Sequence, residues 1–299
     1  TYMTITSKRD IKICKYWELT IKENLSLNID EAQQMFYSEL EDAIKKRLRS
    51  DVPVGSSLSG GLDSSSIVTI IDKLKSLGQT QKTFSARFNN YEKDEGKWMD
   101  LVIKSCNVQP FFTWPDENSL IDNIDKIFFH QEEPFGSTSI IAQWEVMKLA
   151  KEHNVTVLLD GQGADELLGG YITTYEHYLW HLFKTNKRKF ILEKKIFEYN
   201  QKKKFIQTLP MKIKKQYPLI EFLHNKIKYS TKLRTRYFQD LNKDFVNEAF
   251  PASFSKSEDF ILKKHLKSQL THTGLSELLR YADRHSMAHS REVRLPFLR

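Results

Sequence analysis

Val54-Gly55-Ser56-Ser57-Leu58-Ser59-Gly60-Gly61-Leu62-Asp63-Ser64-Ser65-Ser66-Ile67-Val68 is the stretch on which the fold turns. It reads as a short buried strand over residues 52–58, a Ser-Gly-Gly turn, and a helix over 64–77 that opens on serines. Two adjacent glycines let backbone N–H groups approach an anion, the new helix adds its positive dipole end, and the hydroxyls add donors. That combination is a phosphate cradle. It has neither the lysine of a G-x-x-x-x-G-K-[ST] loop nor a G-x-G-x-x-G run. It carries an acid instead, Asp63. A carboxylate repels phosphate unless a divalent cation lies between them, so Asp63 is expected to bind Mg²⁺ directly or through water. The plainer alternative is a tight turn with Asp and Ser as helix caps.

Outward from this loop, strand and helix patterns alternate. Strands are expected over 83–88, 108–114 and 155–159, and helices over 97–106, 120–129 and 140–153. Alternation of this kind predicts an α/β fold with a doubly wound parallel sheet. The last of these strands leads into Asp160-Gly161-Gln162-Gly163-Ala164-Asp165-Glu166-Leu167-Leu168-Gly169-Gly170-Tyr171. Parallel strands deliver their carboxyl ends to one edge of the sheet, so Asp63 and Asp165 are expected to face one nucleotide site. From about Tyr171 onward no further strand is expected, and the rest of the chain reads as mostly helical. On the N-terminal side, Asp30 is expected to cap a helix whose apolar stripe is Met35, Phe36, Leu40, Ala43, Ile44 and Leu48. Residues 1–29 read as a linker or edge strand arriving from something upstream. Thr1 and the closing Pro296-Phe297-Leu298-Arg299 read as cut ends.

Composition narrows the classes. The 299 residues are 40% hydrophobic and 28% charged, which is ordinary for a globular protein, and no apolar run has the length of a membrane span. Cys14 and Cys106 are too few for a disulfide framework or a cysteine-based zinc site, and a reducing cytoplasm is the expected compartment. The net charge of +8 is unevenly spread. Residues 181–240 hold 17 of the 46 Lys and Arg and 4 of the 38 Asp and Glu, leaving 29 basic and 34 acidic residues elsewhere. A basic helical segment rides on a mildly acidic remainder. Its lysines, interleaved with Phe and Tyr, suit either solvated helix faces or a phosphate-backbone surface.

The run from Ser59 to Ser65 resembles the S-G-G-x-D-S-[ST] fingerprint of the PP-loop ATP pyrophosphatases. These enzymes split ATP between its α and β phosphates, adenylate an oxygen and release pyrophosphate. Residues 160–171 resemble the second signature of the asparagine synthetase (glutamine-hydrolysing) synthetase domain. Residues 279–298, L-R-Y-A-D-R-H-S-M-A-H-S-R-E-V-R-L-P-F-L, resemble that family's C-terminal element. With Thr83–Phe88 and Glu133-Pro134-Phe135, the likeness covers residues 30–299.

The resemblance implies a PP-loop sheet of the adenine nucleotide alpha hydrolase type and a mostly helical C-terminal half. It implies that backbone groups of Ser57, Leu58 and Ala86 hold adenine. Ser59, Gly60, Gly61, Ser64 and Ser65 would hold pyrophosphate, with Gly161 and Gln162 beside the adenylate. Asp63 and Asp165 would hold Mg²⁺, and Asp63, Gln162, Asp165 and Glu166 would form the catalytic set. Glu133, Arg284, Glu292 and Arg294 would shape the substrate side. The implied reaction joins a carboxylate, foremost the aspartate side chain, to ammonia from a glutaminase domain outside this chain. A homodimer is left open, and neither a membrane nor nucleic acid is expected as a partner.

Some positions depart from the pattern. Gln162 stands where asparagine synthetases carry Glu, and an amide cannot act as a general base. Relatives with Gln there look like members that amidate or cyclise other carboxylates, such as a sugar uronate or a peptide carboxylate. Arg87 stands at a family glycine and Arg299 at an aspartate. The family's phosphate-binding lysine would lie beyond residue 299, so weak nucleotide binding and impaired catalysis are expected of this piece alone. The nine histidines show no metal-ligand spacing. Arg280, Asp283, Arg284, Glu292 and Arg294 also suit ordinary helix ion pairs. Two different classes remain: an RNA-modifying PP-loop enzyme, which lacks its usual cysteines here, and a non-catalytic nucleotide binder.

Overall fold

A computed structural model describes the chain apart from Lys8, residues 23–25, Asn90, Lys93, residues 202–261 and Arg299. The described residues fall into two compact units, Thr1–Tyr171 with Leu266–Arg299, and Ile172–His265. The first unit is built on a five-stranded parallel sheet of order β5-β4-β3-β6-β7, with β3 Val54–Ser57, β4 Gln81–Ala86, β5 Val108–Thr113, β6 Val157–Leu159 and β7 Glu292–Arg294. The chain winds from β3 out to β5 and then returns to the other side of β3. The strand order therefore reverses between β3 and β6, and in open α/β sheets ligands bind in the crevice at such a point.

Alternation along β6 shows why helices cover both faces. Val157 and Leu159 pack into a cluster with Leu40 and Ile44 of α1 (Ile29–Arg47) and Ile67, Ile70 and Ile71 of α2 (Leu62–Leu74). Leu158, pointing the other way, packs with Phe84 and with Val146, Met147 and Ala150 of α5 (Ile140–Glu152). A two-residue period with both faces buried leaves the strand uniformly apolar. Between α2 and α5 lie α3 (Gly96–Ser105) and α4 (Glu117–Gln131).

Two sequence expectations need correction. The cap of α1 is Asn28, not Asp30: its side chain accepts from the Glu31 N–H at 2.9 Å, and Glu31 returns the bond to the Asn28 N–H at 3.0 Å. Either residue type caps well, but only Asn28 has a glutamate three positions on, which closes the reciprocal box. The strands also do not stop at Tyr171, because β7 joins the sheet edge beside β6. Three residues reading Glu-Val-Arg, placed after a strongly helical run, carry no strand pattern of their own. Their extended form comes from pairing with β6.

Residues 1–29 begin with an antiparallel hairpin, β1 Tyr2–Ile5 and β2 Ile11–Cys14, separate from the main sheet. After β6 come the short α6 (Ala164–Leu168) and, in the second unit, α7 (Ile172–Thr185) and α8 (Lys187–Gln201). These two helices fold back on each other through Leu179 and Phe197, with the Tyr175 and Phe197 rings stacked at 5.5 Å. The basic segment 181–240 is described only as far as Gln201. Then follow α9 (Leu262–Thr271) and α10 (Leu275–Ala288), and α10 packs on α4, α5 and β7. Among the described residues no helix is long and apolar enough to cross a membrane.

Candidate active site

A cleft of about 210 Å³ opens where the carboxyl ends of β3 and β6 lie side by side. Sites that enclose a drug-sized ligand run to roughly 300–1,000 Å³, so this one suits the polar end of a larger molecule. On one wall Ser59 and Ser64 close the Ser-Gly-Gly turn. Their hydroxyls lie 3.0 Å apart, and the Ser59 N–H donates to Ser64 Oγ at 3.1 Å. Gly61 is the N-cap of α2 and makes no side-chain cap bond, so Asp63, in the first turn, is not a capping residue. It lines the cleft.

The opposite wall is the loop after β6, where Asp160 accepts from the Gln162 N–H at 3.1 Å. The loops touch at Gly161. A Cβ there would lie 3.0 Å from Asp63 Cβ and 3.1 Å from the Ser64 nitrogen, so any larger residue would press the two loops apart by a few tenths of an ångström.

Four carboxylates line the cleft, Asp63, Asp160, Asp165 and Glu166, and no Lys, Arg or His among the described residues joins them. Burial, and then the charges of Asp165 and Glu166, push Asp63 up to about 6. Asp165 is raised by burial and by Glu166, and Asp160 by burial. The Tyr171 hydroxyl donates to Glu166 Oε1 at 2.7 Å. Burial and the nearby acids hold that phenol well above its ordinary value. Gln162 Oε1 and Glu166 Oε2 are buried with no hydrogen-bond partner among the described residues. Buried acceptors left in this way call for a donor or cation from a ligand. No three His, Cys, Asp or Glu among the described residues are drawn together closely enough to hold a metal ion unaided. A cation here would complete its shell with phosphate oxygens and water, as Mg²⁺ commonly does.

Of the residues singled out from sequence, Ser57, Ser59, Gly61, Asp63, Ser64, Gly161, Gln162, Asp165 and Glu166 line this cleft. Gly60, Ser65, Leu58 and Ala86 are not among its lining residues. The Leu58 N–H donates to the Phe84 carbonyl at 2.9 Å, and its carbonyl accepts from Ser85 Oγ at 2.6 Å, so the sheet already uses both groups. Arg87 pairs with Asp94 at 3.3 Å and Asp100 at 3.6 Å.

The four substrate candidates are not among the lining residues either. Glu133 pairs with Arg280, and Arg284 with Glu132 at 2.8 Å, tying α10 to the end of α4. Arg294 pairs with Glu292 at 2.6 Å and donates to the carbonyls of Arg47 at 2.6 Å and Arg49 at 2.8 Å. This guanidinium braces the C-terminal end of α1. Replacing Arg294 with Met should lower stability by about 2 kcal/mol in urea unfolding and leave nucleotide affinity unchanged. A changed affinity would return Arg294 to the site.

Sequence reasoning passed over Asp160, Gly163, Tyr171 and Leu278 as lining residues. Asp160 and Tyr171 bound the acidic motif, and an acid directly after a buried strand was a usable signal. Leu278 arrives from α10, more than a hundred residues later, and carries no local sign of it.

Comparison with known proteins agrees with this geometry. The asparagine synthase family model matches residues 35–299. A Methanocaldococcus jannaschii protein named "Putative asparagine synthetase (glutamine-hydrolyzing) 2" is 37% identical over 175 residues, which is 57% of this chain and 32% of that protein. Asparagine synthetase (glutamine-hydrolyzing) 1 of Bacillus subtilis is 35% identical over 171 residues, 56% of this chain and 26% of that protein. Amidase chyE of Penicillium rubens is 26% identical over 171 residues, 52% of this chain and 25% of that protein. The matched stretch thus spans about a third or less of these relatives' own length. With its PP-loop-type sheet and a family match over most of its length, the chain belongs to the asparagine synthase family.

Proposed function

We propose that the chain carries out ATP-dependent activation of a carboxylate, foremost the aspartate side chain, followed by amide formation with ammonia. One observation carries this reading: a phosphate-type loop opens into a cleft lined by four carboxylates and no cationic side chain among the described residues. Such a cleft repels a bare polyphosphate and accepts one that arrives with a cation. Ser59, Gly61 and Ser64 would hold the pyrophosphate end, with Asp63 and Asp165 as cation ligands. Mg²⁺ bound there would neutralise phosphate charge and favour departure of pyrophosphate. The carboxylate oxygen attacks the α-phosphorus and the α–β bridge breaks. Ammonia then attacks the acyl carbon, AMP leaves with the bonding pair, and the surplus proton passes to solvent. Gln162, beside the acyl group, can accept an N–H and orient the nucleophile, while its amide takes up no proton.

A glutaminase domain as the ammonia source belongs to the same proposal, supported by the names of the relatives. So does a cytoplasmic setting, supported by Cys14 and Cys106 as free thiols. Gln162 also favours a second reading, the same adenylation on a sugar uronate or peptide carboxylate.

ATP–pyrophosphate exchange, with ammonium as nitrogen source for product formation, separates the readings. Exchange should require Mg²⁺ and a carboxylate and be fastest with aspartate. Exchange driven by a uronate or a peptide carboxylate, with aspartate inert, would establish the second reading. No exchange with any carboxylate by the full-length protein would sink both.

A further inference from the structure

Ser59 and Gly61 line the cleft, and Gly60 between them does not. Gly60 stands in the left-handed region at φ 87° and leans on the loop after β4 instead. A Cβ there would lie 2.9 Å from the Glu95 carbonyl oxygen and 3.2 Å from Trp98 Cβ, so the back of the turn abuts the start of α3. That carbonyl belongs to the peptide between Glu95 and Gly96, which is held from its other side. Asp94 Oδ2 accepts the Gly96 N–H at 3.1 Å, while Asp94 Oδ1 accepts the Phe88 N–H at 2.9 Å. The Arg87 guanidinium donates to Asp94 Oδ2 at 3.3 Å and lies against Gly96, where a Cβ would fall on it. Arg87 is itself anchored to the sheet, its N–H donating to the Thr113 carbonyl at 2.8 Å.

We propose that Arg87 and Asp94 are positioning residues for the phosphate loop: they fix the Glu95–Gly96 peptide, and that peptide sets where the Ser59–Gly61 turn stands. The inference rests on the reading that this turn holds pyrophosphate. A peptide unit is planar and stiff, so fixing its N–H also fixes its carbonyl. The same carbonyl accepts the Trp98 and Met99 N–H groups at 2.8 and 3.2 Å, which ties it to the first turn of α3. A turn of two glycines has wide backbone freedom and no side chain to limit it. A firm surface behind Gly60 removes part of that freedom before the anion arrives, so less ordering remains to oppose binding. Ala86, the expected adenine contact, is held by its pairing with Thr113 in β5 rather than by this peptide.

Calorimetry on the full-length protein with Mg²⁺ tests this without turnover. Imidodiphosphate serves as the pyrophosphate probe, and AMP reports on the other end of the nucleotide. Asp94→Ala should weaken imidodiphosphate about 10-fold and AMP by no more than about twofold, a size usual for residues that touch no ligand. Gly96→Ala is the sharper probe. Its methyl group displaces the Arg87 guanidinium while giving α3 a better helix former at its first residue. It should weaken imidodiphosphate about fivefold, as Arg87→Ala should, and the double variant should be no weaker than either. Losses that add, equal losses for AMP and imidodiphosphate, or native imidodiphosphate affinity in Asp94→Ala would overturn the proposal.

Should Asp94→Ala fail to fold, Gly96→Ala and Arg87→Ala decide by the same split between the two probes. Native protein that binds neither imidodiphosphate nor AMP in the presence of Mg²⁺ would remove the nucleotide reading itself, and the roles of Arg87 and Asp94 with it.

Discussion

Asp63→Asn will give a protein that melts higher than the native one and no longer exchanges pyrophosphate with ATP. Both halves come from one electrostatic fact. Asp63 shares its cleft with Asp165 and Glu166 and is raised from an ordinary 3.8 to about 6 by burial and then by those two charges. An acid whose pKa rises on folding opposes folding wherever it is ionised. The penalty is full above about 6, fades as pH falls, and is gone below 3.8. Taken at face value the shift is worth roughly 3 kcal/mol, and discounting for solvent screening of a half-buried group leaves about 1 kcal/mol.

At pH 8 the asparagine variant should therefore gain about 1 kcal/mol and a few degrees in melting temperature, and at pH 4 the gain should vanish. Exchange should drop by about 10³-fold, because a lost cation ligand forfeits several kcal/mol of charge stabilisation. Saturating Mg²⁺ with ATP should reverse the order of melting temperatures, since only the native cleft then gains a bound ion. Calorimetric melts at the two pH values, with and without Mg²⁺–ATP, check the whole pattern. A variant less stable than native at pH 8 without ligand would refute the like-charge account.

The two loops that make this cleft were legible because backbone chemistry dictates them. Gly161 lets the Asp63 and Asp160 loops pack closely, and both loops follow strands whose apolar runs announce a buried sheet. A parallel sheet then places their ends together by geometry alone. Features that depend on a partner remote in sequence were not legible. Val293 is extended because β6 offers an edge, although Glu292 and Arg294 on either side read as helix surface. The family resemblance put Arg294 on the substrate side, while its residue type suited an ion pair equally well. Its carbonyl partners, Arg47 and Arg49, lie more than two hundred residues away, and no spacing rule reaches them. Leu278 and the lack of a cation among the described residues that line the cleft are properties of assembly, written in no single segment.

Acidification should weaken the first unit in the apolar cluster around Trp144, where α10 meets α4 and α5. His285 is wholly buried and lies edge-on to Trp144, with ring centroids 5.5 Å apart. His289, one turn later, is 4.4 Å from the same indole. Neither ring nitrogen of His285 has a hydrogen-bond partner among the described residues, and neither do His289 Nε2, Trp144 Nε1 or Gln131 Oε1. A neutral imidazole can sit there with buried water, but a cation cannot. The groups that act on this pair through charge are basic: His130 from α4 faces both, and Lys148 and Lys151 from α5 with Arg291 after α10 face His289. Burial first holds both imidazoles down to about 4 from an ordinary 6.5, helped by His289 and His130 at His285 and by Lys151, His130, Lys148 and Arg291 at His289.

A histidine lowered on folding contributes its full stability above the unfolded value. That stability is lost as pH falls from 6.5 towards 4, because the unfolded chain takes up the proton first. For His285 the loss amounts to about 3 kcal/mol, a large share of the roughly 5–15 kcal/mol that holds a typical domain together. His289 is less enclosed and adds a smaller part. Asp63 works in the opposite direction over the same range, so a single pH series on the native protein mixes the two. The difference between native protein and His285→Met cancels Asp63. Met fills a similar volume and does not titrate, so urea unfolding of the two should nearly coincide at pH 7.5 and separate by about 3 kcal/mol, with Met the more stable, near pH 4.5. Parallel curves across that range would mean that His285 is protonated in the folded state through contacts that the cluster does not contain.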